Sequence, residues 1–348
     1  MRHTKVDIAL QGGGAHGAYT WGVLDRLLEE TWLDIVGVSG TSAGAMNAVA
    51  LVQGLACGDR EEAQELLHTF WKRVSAAAAF SPVQRTPIDR ALQGWRLDRS
   101  PIYEWFDAMA RFWSPYASNP LDINPLRQIV QATFNFDLVN TETAPRLFQS
   151  ATNVRTGRLK IFRQPEISVE TTLASACLPT LYQAVEIDGA AYWDGGYMGN
   201  PPLFPLVDES PARDAILVQN NPFVRPEIPR TRSDIENRLN EITFNSSLLN
   251  ELRSIGFLHQ VIESENLDRE AYRNGRLHRI AAEEEMQKLN VSTKMNAAPD
   301  FLNHLYSVGR ESADAWIQES GPEVGVRSTW LPTYLAEDTR NPAHLKST

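Results

Sequence analysis

The first 60 residues alternate short apolar runs with longer stretches whose apolar positions recur every three or four residues. Lys5–Leu10 is an apolar run of strand length, halted by Gly12-Gly13-Gly14. Tyr19–Glu30 then places Val23, Leu24, Leu27 and Leu28 on one helical face, with acids on the other. Leu33–Val38 reads as a second buried strand, Gly40–Gly44 as a tight turn and Ala45–Ala56 as an apolar helix. Strand, helix, strand, helix in so short a span predicts a parallel sheet with right-handed crossovers.

The pattern changes over residues 70–130, which are rich in proline and aromatics. Phe70, Trp71, Phe80, Trp95, Tyr103, Trp105, Phe106, Phe112, Trp113 and Tyr116 fall within this stretch, and four arginines face two aspartates between Arg85 and Arg99. The segment reads as a helical insertion that buries its own aromatics, or as a lid beside an active site, where Trp and Tyr suit a half-wet boundary. Strand patterns resume at Leu147–Val154 with Leu159–Phe162, and at Ala184–Ile187 with Ala191–Trp193, each pair reading as a hairpin; Ala215–Gln219 is a further buried strand. Pro222, Pro226 and Pro229 then mark a connector, after which the chain reads as mostly helical. Ser233 and Glu236 resemble a capping box opening a long helix with Ile235, Leu239, Ile242, Leu249, Leu252 and Ile255 inward; Glu283-Glu284-Glu285 reads as a solvated face. The expected organisation is a catalytic region over residues 1–220, with the insertion at about 70–130, and a connector and helical region over 221–348.

Composition narrows the function. The chain of 348 residues is 43% hydrophobic and 22% charged, as in a globular enzyme, and its net charge of −10 disfavours nucleic acid as a partner and docking on an anionic membrane by net charge alone. Two cysteines, Cys57 and Cys177, exclude a disulfide framework. The apolar run after the basic first residues is short and broken by Asp7, and no window approaches the length of a membrane span. The expected location is cytoplasmic, with peripheral contact to a membrane or micelle through residues 80–116.

Candidate chemistry begins at Gly40-Thr41-Ser42-Ala43-Gly44, which fits a nucleophile elbow. A serine on a sharp strand-to-helix turn needs small neighbours, and the helix that follows aims amides at the reaction site. Gly12-Gly13-Gly14-Ala15-His16-Gly17 fits a dinucleotide loop, but Asp34 stands at the beginning of the second strand, where a ribose-binding acid belongs at its end. An oxyanion hole is the better reading, because two glycine-rich turns after adjacent strands bring their amides and Ser42 to one sheet edge. His259, His278, His304 and His344 lie away from strand ends. Asp194, closing the strand Ala191–Trp193 and followed by Gly195 and Gly196, is the better base.

Together these motifs resemble the patatin-like phospholipase family. The glycine-rich loop at Gly12–Gly17, the elbow at Gly40–Gly44, the Ala-Ser-x-x-x-Pro segment at Ala174–Pro179 and Asp194-Gly195-Gly196 match in order, over roughly residues 5–220. The resemblance implies a three-layer α/β/α fold with a mostly parallel central sheet and a Ser–Asp dyad without histidine. Ser42 would be the nucleophile, Asp194 the general base, and the Gly12, Gly13, Gly14 and Ala15 amides the oxyanion hole, with no metal or other cofactor. His16 departs from the pattern, standing where the family usually has Arg or Lys. The expected activity is hydrolysis of fatty-acyl esters of phospholipids or lysophospholipids. The alternatives are a patatin-fold esterase or thioesterase, or polyester-oligomer hydrolase, and a non-catalytic binding scaffold.

Overall fold

The computed structural model describes residues 2–78, 94–98, 105, 112–265 and 275–330. Its strands are β1 (Thr4–Leu10), β2 (Leu33–Gly40), β3 (Arg146–Asn153), β4 (Leu159–Arg163), β5 (Val185–Ile187), β6 (Ala190–Asp194), β7 (Asp214–Gln219) and β8 (Arg276–Ala281). They form one sheet in the order β5–β6–β3–β2–β1–β7–β8, with β4 also paired to β3. The run β3–β2–β1–β7–β8 is parallel, whereas β4, β5 and β6 join antiparallel. The principal helices are α1 (Gly17–Leu28), α2 (Ala43–Ala56), α3 (Arg60–Ala78), α4 (Val169–Ser175), α5 (Arg232–Ser264) and α6 (Pro299–Glu319).

The two-residue period of the strands sorts the core into two layers. Val6, Ile8, Leu10, Ile216 and Val218 join the side chains of α1, α2, α3 and α6 in one cluster. Ala9, Phe148, Leu217 and Leu277 meet Leu203, Leu206, Leu248 and Leu252 in the other. The result is the expected three-layer α/β/α architecture.

Three local expectations need correction. The face of α1 expected to be acidic is buried at Asp25, which accepts from the Tyr306 hydroxyl (2.7 Å) and pairs with Arg310, both on α6, while Glu29 is exposed. Only glycine permits that packing, since a Cβ on Gly22 would fall 2.0 Å from the Tyr306 carbonyl oxygen and one on Gly309 2.1 Å from that of Tyr19. The stretch after the proline connector, read as mostly helical, is so but also contains β8, whose alternation is obscured by Arg276, His278 and Arg279. The cap of α5 is Thr231, whose hydroxyl accepts from Asp234 N–H (3.2 Å), and Ile235, Leu239 and Ile242 are exposed. Further along α5, Leu252 is buried and Leu249 and Ile255 pack against the core as expected; Glu241, Phe244, Asn245 and Leu248 also face inward, two of them polar because they serve interior partners.

The aromatic set divides. Phe70 and Trp71 are core residues, and Trp95 packs on Phe301 and His304, whereas Trp105, Phe112, Trp113 and Tyr116 are exposed by 57%, 86%, 53% and 61%. Phe80, Tyr103, Phe106, the four-arginine stretch between Arg85 and Arg99 (apart from Arg96) and His344 lie outside the described residues.

Candidate active site

Leu10 pairs with Gly40 at the C-terminal ends of adjacent parallel strands, so the glycine-rich loop and the elbow leave the sheet side by side. Strand β3 brings the third component. One of its edges is occupied by β4; on the other, β2 pairs through Gly40↔Gln149 and β6 takes over with Ala151↔Asp194. The carboxylate therefore arrives two residues further along the edge that β2 vacates as the chain turns into the elbow.

Ser42 has φ 54° and ψ −123°, a positive φ rare for a residue with a Cβ and costing about 1–3 kcal/mol. The surroundings hold it there. Its N–H donates to Ser175 Oγ (3.0 Å), which places the Ala174–Pro179 segment behind the elbow. Thr41 Oγ1 donates to the Gly199 carbonyl (2.7 Å) and lies 2.6 Å from Ser150 Oγ. The loop lies directly against the serine: a Cβ on Gly12 would fall 2.8 Å from Ser42 Cβ and 2.7 Å from the Thr41 carbonyl oxygen.

Asp194 is fully buried. Its Oδ1 accepts from Gly196 N–H (2.7 Å), its own N–H donates to the Cys177 carbonyl (2.8 Å), and Thr152 Oγ1 donates to its carbonyl (2.8 Å). Oδ2 is buried with no hydrogen-bond partner within ordinary reach. Burial pushes the carboxyl up to about 7, against the pull of the Gly196 amide, the nearby Ser42 hydroxyl and the Lys294 charge. The Ser42 hydroxyl thus stands near the carboxylate without a closed hydrogen bond.

Of the four residues expected to form the oxyanion hole, Gly12 is withdrawn, because its N–H donates to Asn200 Oδ1 (2.7 Å). Among the described residues, no acceptor is bonded to the N–H groups of Gly13, Gly14 and Ala15. The same holds for Ala43 N–H, the first amide of α2 beyond the serine.

A model of the family described as patatin-like phospholipase matches residues 8–207. The chain belongs to the patatin-like phospholipase family. The patatin-like match covers the loop, the elbow and the Asp194 strand. Among solved structures, VipD from Legionella pneumophila is similar at 15% identity and TM-score 0.42, over 91% of this chain and 67% of that one. ExoU in its complex with SpcU, from the type III secretion system of Pseudomonas aeruginosa, is similar at 19% identity and TM-score 0.31, over 70% of this chain and 50% of that one. The chain thus spans about half the length of the ExoU chain it matches. A comparison with curated proteins returned no match.

Among the described residues of this patatin-like chain, no histidine is hydrogen-bonded to Ser42. His278 is turned away to Asp214 and Thr329, His304 stacks on Trp95, and His16 is buried against Thr293. What the motifs did not disclose is the set of carboxamides that fixes the loop. Gln11 Oε1 accepts from the N–H groups of Asn220 and Asn221 (2.8 Å each), and its Nε2 donates to Asn245 Oδ1 (2.8 Å). Asn221 Nδ2 donates to the Gly12 carbonyl (2.8 Å), and Asn200 Nδ2 to the Phe244 carbonyl (3.2 Å). The Asn220-Asn221 pair directly after an apolar strand was the available signal.

Proposed function

We propose that the protein is a serine acyl hydrolase that cleaves fatty-acyl esters of phospholipids or lysophospholipids. The observation that carries this reading is the pairing of a serine in a strained elbow with a buried carboxylate whose Oδ2 is unpartnered, beside a loop of unbonded amides. Ser42 Oγ attacks the acyl carbonyl as its proton passes to Asp194. The N–H groups of Gly13, Gly14 and Ala15 receive the negative oxygen, and the leaving alcohol departs with the proton held by Asp194. Water then attacks the acyl-serine, Asp194 again taking the proton, and Ser42 Oγ leaves with that proton as the carboxylic acid is released. A carboxyl raised to about 7 suits this task, since a general base is most effective when its pKa is close to the working pH.

The family supports a lipid substrate, and the aromatic insertion supports local docking. Exposed Trp105, Phe112, Trp113 and Tyr116 give an acidic chain an apolar contact that does not depend on net charge. No described helix is long and apolar enough to cross a membrane. Lipid-class profiling of the wild type beside Ser42→Ala tests the function. Free fatty acid released from phospholipid or lysophospholipid by the wild type alone is expected, undiminished by a chelator. Release confined to soluble short-chain esters would favour the esterase reading, and a folded protein that takes no fluorophosphonate at Ser42 the non-catalytic one.

A further inference from the structure

The glycine-rich loop carries one ionisable side chain, His16, and it brings no charge to the site. Burial first, and then the charges of Lys294 and Arg225, keep it neutral, and its Nε2 lies 2.7 Å from Thr293 Oγ1. The residue after Thr293 supplies the cation. The Lys294 carbonyl lies against the loop, where a Cβ on Gly14 would come within 2.5 Å of its oxygen. Its Nζ donates to Asn240 Oδ1 (3.0 Å) and stands 5.4 Å from the centroid of the Phe244 ring. The same ring lies against Gly196, 2.3 Å from the position of a Cβ there, and Gly196 N–H holds Asp194 Oδ1. Lys294 therefore touches the amide loop through its backbone and, across one aromatic ring, the turn that carries the carboxylate. The short helix Val291–Met295 that bears it is fastened by Asn237 Oδ1, which accepts from Val291 N–H (2.7 Å), and by Ser292 Oγ, which accepts from Leu97 N–H (2.9 Å).

We propose that Lys294 is a positioning residue of the acyl-hydrolase site, its ammonium behind Phe244 keeping Asp194 ionised so that the carboxylate is ready to accept the Ser42 proton. The inference rests on the Ser42–Asp194 reading. Around Asp194 the other ionisable groups are neutral near pH 7: burial pushes Cys177 and Tyr197 each up to about 12. Around Lys294 stand Glu241, Arg225 and His16; burial lowers the ammonium to about 8, opposed by Glu241 and Asp194. Arg225 pairs with Glu241, so it does not replace Lys294 beside the carboxylate.

The test is the pH profile of kcat/KM for Lys294→Met, Lys294→Arg and Asn240→Asp, each checked for a wild-type melting curve. Loss of the ammonium moves the acid limb up by about one unit, the order expected for removing an opposite charge. The ratio of Lys294→Met to wild-type activity then rises roughly tenfold between about pH 6 and about pH 9. Lys294→Arg restores the limb. Asn240→Asp pairs the ammonium with a carboxylate that offsets its field while leaving the Gly14 contact intact, and shifts the limb in the same direction, which keeps the test open where Lys294→Met does not fold. An unmoved limb in Asn240→Asp, or a loss in Lys294→Met equal at both pH values and not rescued by arginine, overturns the proposal. Asp194→Asn separates the two readings. An active Asp194→Asn removes the Ser42–Asp194 assignment itself, whereas a dead one beside an unmoved limb overturns only the role of Lys294.

Discussion

Two buried aspartates sit at opposite ends of the same sheet and have opposite fates. At the start of β7, Asp214 accepts from Arg276 Nη2 (2.8 Å), His278 Nε2 (3.0 Å) and Gly325 N–H (2.8 Å). Burial alone would raise its pKa, but the bonds from His278, Arg276 and Gly325 outweigh burial and hold the carboxyl down at about 2. At the end of β6, Asp194 is likewise closed to solvent but keeps one amide, with Oδ2 unpartnered, and burial prevails. The fully satisfied carboxylate ties β7 to β8 and to the segment beyond α6. The under-satisfied one is the base proposed for Ser42. Both are closed to solvent; what sets them apart is the donor set, which for Asp214 includes the Arg276 guanidinium, together with the deeper enclosure of Asp194.

The comparison is broken most directly by exchanging each acid for its amide. Asp194→Asn is expected to lower kcat by roughly 10³–10⁴-fold, as when a member of a catalytic unit is removed, and to raise the melting temperature above neutral pH. The sign follows from the raised pKa. A folded carboxyl near 7 against 3.8 in the unfolded chain means that stability is highest below about 3.8 and is lost as the pH rises through about 7, and the amide escapes that loss. Gly12→Ala, which forces a methyl onto Ser42 Cβ, should cost on the order of 10²-fold in kcat through misplacement of the serine. Asp214→Asn should leave kcat per folded molecule close to wild type but cost about 3 kcal/mol in chemical denaturation, because Arg276 and His278 lose their anion. Its depressed pKa gives the opposite pH signature. The stability Asp214 supplies is complete above about 3.8 and disappears as the pH falls toward about 2, and the variant should lack that slope. The smallest effect is at the surface: Phe112→Ser with Trp113→Ser should reduce rates on micellar substrate a few-fold, leave soluble esters unaffected and change stability by less than about 0.5 kcal/mol.

The half of the comparison that holds the proposed site was legible in the sequence because it is written in glycines and small residues. Gly40, Ser42 and Gly44 announce a strained turn, and Asp194-Gly195-Gly196 closes an apolar strand. The structural half was not, since Asp214, Arg276 and His278 become one cluster only through the β7–β8 pairing, and charged residues hid β8 within a stretch read as helical. The same cause misplaced the first half of the inner face of α5. Glu241 and Asn245 point inward to serve Arg225 and Gln11, while Ile235, Leu239 and Ile242 face solvent; from Leu249 through Leu252 to Ile255 the apolar stripe does meet the core. The carboxamide oxygen that takes up the Gly12 N–H belongs to Asn200, a contact across 188 residues that no local pattern encodes.

The measurement that bears most directly on a histidine-free serine site is the rate of fluorophosphonate labelling of Ser42 across pH, in wild type and in Asp194→Asn. In the wild type the rate should rise with an apparent pKa close to 7, the position to which burial brings Asp194, and the variant should label at a small, pH-independent residual rate. A wild-type profile that survives unchanged in Asp194→Asn, or that disappears when a histidine such as His16 or His304 is replaced in a folded protein, would contradict it.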